Sequence, residues 1–139
     1  MMYNNQPLQR ELKKGEIWLY KDRDCVTYHN SYLFNAKDEY DDRKSYKIRP
    51  CIIIAPETGR ADEKDVTIIK LTAQETDDIN DFLIEDWEEI GLKNKSYARC
   101  SKIMTVNKED ILHKVTTIPR AEYKRIEISI FQYITQSFI

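Results

Sequence analysis

Glycine and proline are scarce in this sequence, with 3 and 4 among 139 residues. That scarcity, beside 41% hydrophobic and 33% charged residues, excludes a disordered or low-complexity chain. The three cysteines form no CxxC pair, so neither a disulfide framework nor a zinc site is indicated. The only histidines, His29 and His113, lack metal-ligand spacing. No apolar run approaches the ~20 residues that cross a bilayer, and the amino terminus lacks the basic-then-apolar pattern of a secretory signal. A cytoplasmic protein that uses no metal or other cofactor and no membrane is expected. The 22 basic residues face 24 acidic ones, a net charge of −2, which excludes broad polyanion binding. A nucleic-acid site would have to be a local basic patch.

What the chain does have is apolar, β-branched runs of strand length. Its size suits a single domain over 1–139, with 1–12 as a flexible tail. Gly15 to Tyr20 reads as a first strand, and Cys51 to Ile54 and Val66 to Leu71 as adjacent buried strands around a turn-rich segment from Pro56 to Lys64. Phe82 to Ile84, Ser96 to Val106 and Val115 to Ile118 add shorter or alternating candidates. Cys51 and Cys100 lie in such runs and read as small buried hydrophobes. Tyr123, Ile126, Ile130 and Ile134 recur at helical spacing, with Pro119 suited to the first turn and Thr117 available near the cap. One helix of about four turns should pack on the sheet. Ile128 and Phe131 widen its apolar face toward a partner subunit, although core packing accounts for most of the pattern.

Lys21 to Lys47 is long for a structureless connection in a compact domain. Val26 and Tyr28 face Tyr32 and Phe34 across His29-Asn30-Ser31, a pattern compatible with a small hairpin, and a mobile flap is the alternative.

Five fragments follow one another in a telling order: Gly15-Glu16-Ile17-Trp18, Arg49-Pro50 before an apolar strand, Leu71-Thr72-Ala73-Gln74, Gly91-Leu92-Lys93-Asn94-Lys95-Ser96, and Ile103-Met104-Thr105-Val106-Asn107-Lys108 ahead of a closing helix. Through them the chain, from about Lys13 to about Gln136, resembles the MazF/PemK family of toxin endoribonucleases from bacterial toxin-antitoxin systems. The resemblance implies a mainly β (α+β) fold: a small SH3-like barrel with a C-terminal helix, here with a long first inter-strand insertion, and usually a homodimer. It also implies metal-independent, sequence-preferring cleavage of single-stranded RNA and an antitoxin protein or peptide that fills the same groove. Where many members carry an acid, Gln and Arg before the strand's Thr, this chain has Ser101, Lys102 and Met104. That difference bears on sequence specificity and on antitoxin pairing.

Such cleavage proceeds by attack of a ribose 2'-hydroxyl on the adjacent phosphorus, so a cation must stand beside a phosphate that gains charge. An arginine fork matches two phosphate oxygens and keeps its charge at any working pH, but for the same reason it is a poor general base. The resemblance makes Arg49 the principal catalytic residue, read here as a charge stabiliser, and Thr72 its hydrogen-bonding partner. Taken alone, the two would be an ordinary surface arginine and a strand-end threonine. Gln74 is a candidate to read a base edge or simply to end the strand. His29 is a candidate for RNA contact and for the missing base; His113, placed in a strand-to-strand connection, reads as structural or solvated. Tyr28, Tyr32, Tyr40 and Tyr46 suit base stacking or local loop packing. Lys21, Arg23, Lys44, Lys47 and Lys102 are candidates for phosphate contact or members of a solvated charged face. The acidic stretches Asp77 to Asp81 and Glu85 to Glu89 would repel RNA and should lie away from its groove. The competing class is a non-catalytic protein of the same fold that binds another protein, as gyrase-poisoning relatives do, or an interaction module from a phage or mobile element.

Overall fold

The computed structural model describes residues 11–23, 46–56, 60 and 62–136. Strands β1 (Glu16–Asp22), β2 (Lys47–Ala55), β3 (Asp65–Thr72), β4 (Asp81–Leu83), β5 (Tyr97–Asn107) and β6 (Ile111–Thr117) are followed by helix α1 (Arg120–Thr135). The strands form one antiparallel sheet in the order β4-β5-β3-β2-β1-β6. Among the described residues no ladder joins β4 to β6, so the barrel implied by the resemblance is an open one.

Both faces of the sheet are apolar, which is why the strand sequences read as continuous rather than alternating runs. One face carries Ile17, Ile52, Ile69, Leu71, Ala98 and Cys100 against Tyr123, Ile126 and Ile130 of α1. The other carries Trp18, Tyr20, Cys51, Ile53, Val66, Ile68 and Ile111, joined among the described residues only by Leu12 from outside the strands. A core built almost wholly of strand side chains requires the sheet to curl over that face. Each fully buried isoleucine contributes roughly 1.5–3 kcal/mol of transfer free energy. Leu12, assigned to the tail from sequence, is 4% exposed and is part of this core.

Gly15 joins the two layers. Its N–H donates to the Ile53 carbonyl and its own carbonyl accepts from Ile118 N–H, both at 2.9 Å. Its φ of +85° suits glycine, and a Cβ there would stand 3.4 Å from the Tyr123 ring. At the other end of the helix's first turn, buried Glu122 accepts from Glu85 N–H at 2.6 Å and ties α1 to the segment after β4.

Several boundaries differ from the sequence reading. Strand β1 runs two residues past Tyr20 to Asp22, and β2 begins at Lys47 rather than Cys51, because cross-strand pairing carries polar residues along with the apolar run. Strand β6 starts at Ile111, so His113 lies in a strand, exposed, and not in a connection. Pro119 is the N-cap residue of α1, which has no side-chain cap bond; Thr117 instead ends β6. Ile134 is 52% exposed, as are Ile128 and Phe131 at 56% and 65%. The core face of α1 thus ends at Ile130. The expected hairpin at 26–34 lies outside the described residues.

Candidate functional site

β2 and β3 pair with Cys51 opposite Lys70. Carrying that antiparallel register outward by two residues sets Arg49 across from Thr72, which alternation places on one face of the sheet. Both residues line a cleft of about 630 Å³ with Pro50, Leu71, Ala73, Gln74 and the turn residues Leu92, Lys93 and Asn94. Neighbours from both faces of each strand line it, so it wraps over the rim where the strands end. Among the described residues no Asp or Glu lines it, and Arg49 and Lys93 supply positive charge. A hollow of about 560 Å³ at the amino end of α1 differs in this respect: it includes Glu127, which pairs with Lys14 and Lys124.

The Arg49 side chain is 44% exposed. Its Nε lies 3.6 Å from Asp22 Oδ2, a carboxylate only 1% exposed, and Lys70 Nζ lies 3.3 Å from the same oxygen. Tyr20 is buried beside them; burial first, and then the Asp22 charge, hold its phenol far above the usual range, so it remains protonated. The Thr72 hydroxyl oxygen accepts from Gln74 N–H at 3.1 Å, which folds the chain back at the end of β3 and leaves the hydroxyl proton available to donate. Burial pushes the Cys51 and Cys100 thiols up to about 12, Asp81 and Asp78 adding to the effect at Cys100; neither is a nucleophile near neutral pH.

Of the remaining sequence candidates, Gln74 joins the cleft. Lys47 and Lys102 are exposed on β2 and β5 but do not line it. Tyr28 and His29, with Tyr32, Tyr40 and Lys44, lie outside the described residues. Arg23 is no phosphate ligand in waiting: its Nε and Nη2 bond both oxygens of Asp110 at 3.0 Å. Tyr46 offers its ring to Lys21 and Arg23, 4.9 and 5.5 Å from the centroid, so here the packing role applies. Asp78 and Asp81 hold Arg99, and the acidic stretches stay out of the cleft. Sequence reasoning missed Asp22, Lys70 and Lys93. The period-two series Trp18, Tyr20, Asp22 was the available signal for the first of them, since it points an aspartate to the same face as two buried aromatics.

The chain's sequence from residue 32 to residue 134 matches the model of the PemK-like, MazF-like toxins of type II toxin-antitoxin systems. It belongs to that family. No curated protein matches the chain in sequence. Among solved structures, the fold is similar to the Mycobacterium tuberculosis toxin MazF-mt6, with a TM-score of 0.55 and 18% identity over 63% of this chain and 87% of that one. It is also similar to an endoribonuclease in complex with its cognate antitoxin from a mycobacterial species, with a TM-score of 0.58 and 12% identity over 89% and 95%. The six-stranded sheet with its C-terminal helix is thus the architecture of the MazF toxins. At these identities the structural likeness establishes the fold, and the chemistry has to be argued from the cleft.

Proposed function

We propose that this PemK/MazF-family toxin is a metal-independent endoribonuclease that cuts single-stranded RNA with a sequence preference. The supporting observation is the cleft itself, which an arginine and a threonine from neighbouring strands line together with no carboxylate beside them among the described residues. The substrate's 2'-oxygen attacks phosphorus and loses its proton to a base, and the bond to the 5'-oxygen breaks as that oxygen takes up a proton from the protonated base or from water. The products are a 2',3'-cyclic phosphate and a 5'-hydroxyl. Arg49 stabilises the charge that accumulates on the phosphoryl oxygens. Thr72 donates to the phosphate or to the departing oxygen, and Gln74 stands where a base edge would pass. The base is left open: His29, which lies outside the described residues, is one candidate for it, and normal cleavage by His29→Ala would remove it. A homodimer, and a cognate antitoxin that occupies the same cleft, complete the reading; a neighbouring reading frame encoding a small acidic protein would support the latter.

The test is to incubate the purified protein with long RNA in excess chelator and map the new ends. Discrete cuts ending in cyclic phosphate are expected. Intact RNA, together with recovery of a tight protein complex, would replace this reading with the non-catalytic one.

A further inference from the structure

Among the described residues, Asp22 is the buried carboxylate that meets two cations at a single oxygen, and one of those cations is Arg49. A carboxylate taken out of water is costly unless paired, so its place at the rim of the strand-built core calls for a reason. The geometry at Arg49 supplies one. A guanidinium carries one N–H at Nε and four on its outer fork. The Arg49 nitrogen nearest to Asp22 is Nε, at 3.6 Å, and among the described residues no hydrogen bond holds the outer fork.

We propose that Asp22 is a positioning residue that anchors Arg49 from its Nε side and presents the fork to the scissile phosphate, while Lys70 offsets the Asp22 charge so that Arg49's own charge is not cancelled. The inference rests on the nuclease reading above. Lys70 sits two residues before Thr72 on β3 and therefore on the same face, and it lies 3.3 Å from Asp22 Oδ2 with 28% of its side chain exposed. The three groups together carry one net positive charge. Either cation alone on Asp22 would give a neutral pair and a weaker attraction for RNA.

The two roles separate in kinetics. Asp22→Asn frees the guanidinium but raises the cluster's charge, so kcat should fall about 30-fold while KM for RNA stays level or decreases; misplacing a positioned group has costs of this size. Lys70→Met should raise KM about 5-fold, reduce the slope of log affinity against log salt by about one, and leave kcat within about 2-fold. A merely structural Asp22 would not tighten RNA binding while slowing turnover. Wild-type kcat in Asp22→Asn, or a loss confined to KM, overturns the proposal, and a kcat loss in Lys70→Met equal to that in Asp22→Asn overturns the division of roles. If Asp22→Asn does not fold, Asp22→Glu carries the test, since it keeps the charge and displaces it by one methylene: lowered kcat at constant KM supports the anchor, wild-type kcat overturns it.

A readout independent of cleavage is the Arg49 Nε–H NMR signal of the full chain, assigned by its disappearance in Arg49→Lys. It should stand apart from exposed arginines in the wild type and join them in Asp22→Asn. An unchanged signal refutes the anchor. If the wild type leaves RNA intact while this signal moves, the nuclease reading fails and the anchor stands.

Discussion

Arg49 and Arg99 grow from the same sheet, and each meets a buried aspartate, yet their surroundings differ in kind. Arg99 is 26% exposed; its Nε bonds Asp81 at 3.2 Å and its Nη2 lies 3.6 Å from Asp78. Carboxylates thus occupy both its inner edge and its fork. Among the described residues Arg49, at 44% exposed, meets one carboxylate, nearest its inner edge, and that carboxylate is shared with Lys70. An arginine committed on all sides holds a structure together, whereas one held only from behind has donors left for a ligand.

The largest expected effect comes from removing the fork and keeping the charge. Arg49→Lys should lower cleavage by about 100-fold or more, since a single preorganised donor at a developing charge is worth that much, while the urea midpoint stays near the wild-type value. Near-normal cleavage would place Arg49 with Arg99 as a structural arginine and end the nuclease mechanism. The mirror experiment is Arg99→Gln. It leaves Asp81, 4% exposed, with its Thr76 bond but no cation, so stability should fall by about 2 kcal/mol with the cleavage rate per folded molecule unchanged. A rate loss at full stability would dissolve the distinction between the two residues.

Thr72→Val tests whether the cleft needs a donor opposite the Arg49 fork. The shape is kept, and the ST-type turn bond from Gln74 is lost along with the hydroxyl. Cleavage should fall about 10-fold, the size of one hydrogen bond made in the transition state. Thr72→Ser should restore most of it. If the serine variant is as slow as the valine one, the threonine serves packing.

How much of this could be read from the sequence depended on the kind of contact. Ile52, Ile53, Ile68 and Ile69 announced buried strands because a sheet covered on both faces needs unbroken β-branched runs. The helix announced its core face through Tyr123, Ile126 and Ile130, but Ile134 continued the spacing past the end of the sheet, where nothing covers it among the described residues. Strand ends were misjudged where polar residues are paired, as at Asp22 opposite Lys47. Arg49 and Thr72 were nominated only through resemblance, since neither is distinctive as a residue. Lys70 was invisible, and Asp22 was marked only by its alternation with Trp18 and Tyr20, because the two meet through side chains reaching across a curled sheet, a relation with no fixed spacing along the chain.

The smallest effect concerns a third buried carboxylate, which asks whether pairing on this sheet is structural unless a cleft says otherwise. Glu16, 6% exposed, accepts from Lys13 N–H at 3.0 Å and from Trp18 Nε1 at 2.9 Å, and pairs with Lys114 at 3.1 Å. Burial alone would raise its carboxyl, but these three partners outweigh it and hold the group below its ordinary 4.5. A carboxyl lowered in the fold stabilises the protein above its unfolded value and loses that contribution as pH falls through the folded one. Glu16→Gln should therefore be less stable at pH 7, by on the order of 1 kcal/mol, and the gap to the wild type should shrink below pH 4.5. Urea midpoints of both proteins between neutral pH and pH 3 measure it. A gap constant down to pH 3 would mean that Glu16 acts by shape and hydrogen bonding alone; a shrinking gap with unchanged cleavage of RNA at neutral pH would assign it, like Arg99, to the structure and leave Arg49 distinguished by its cleft.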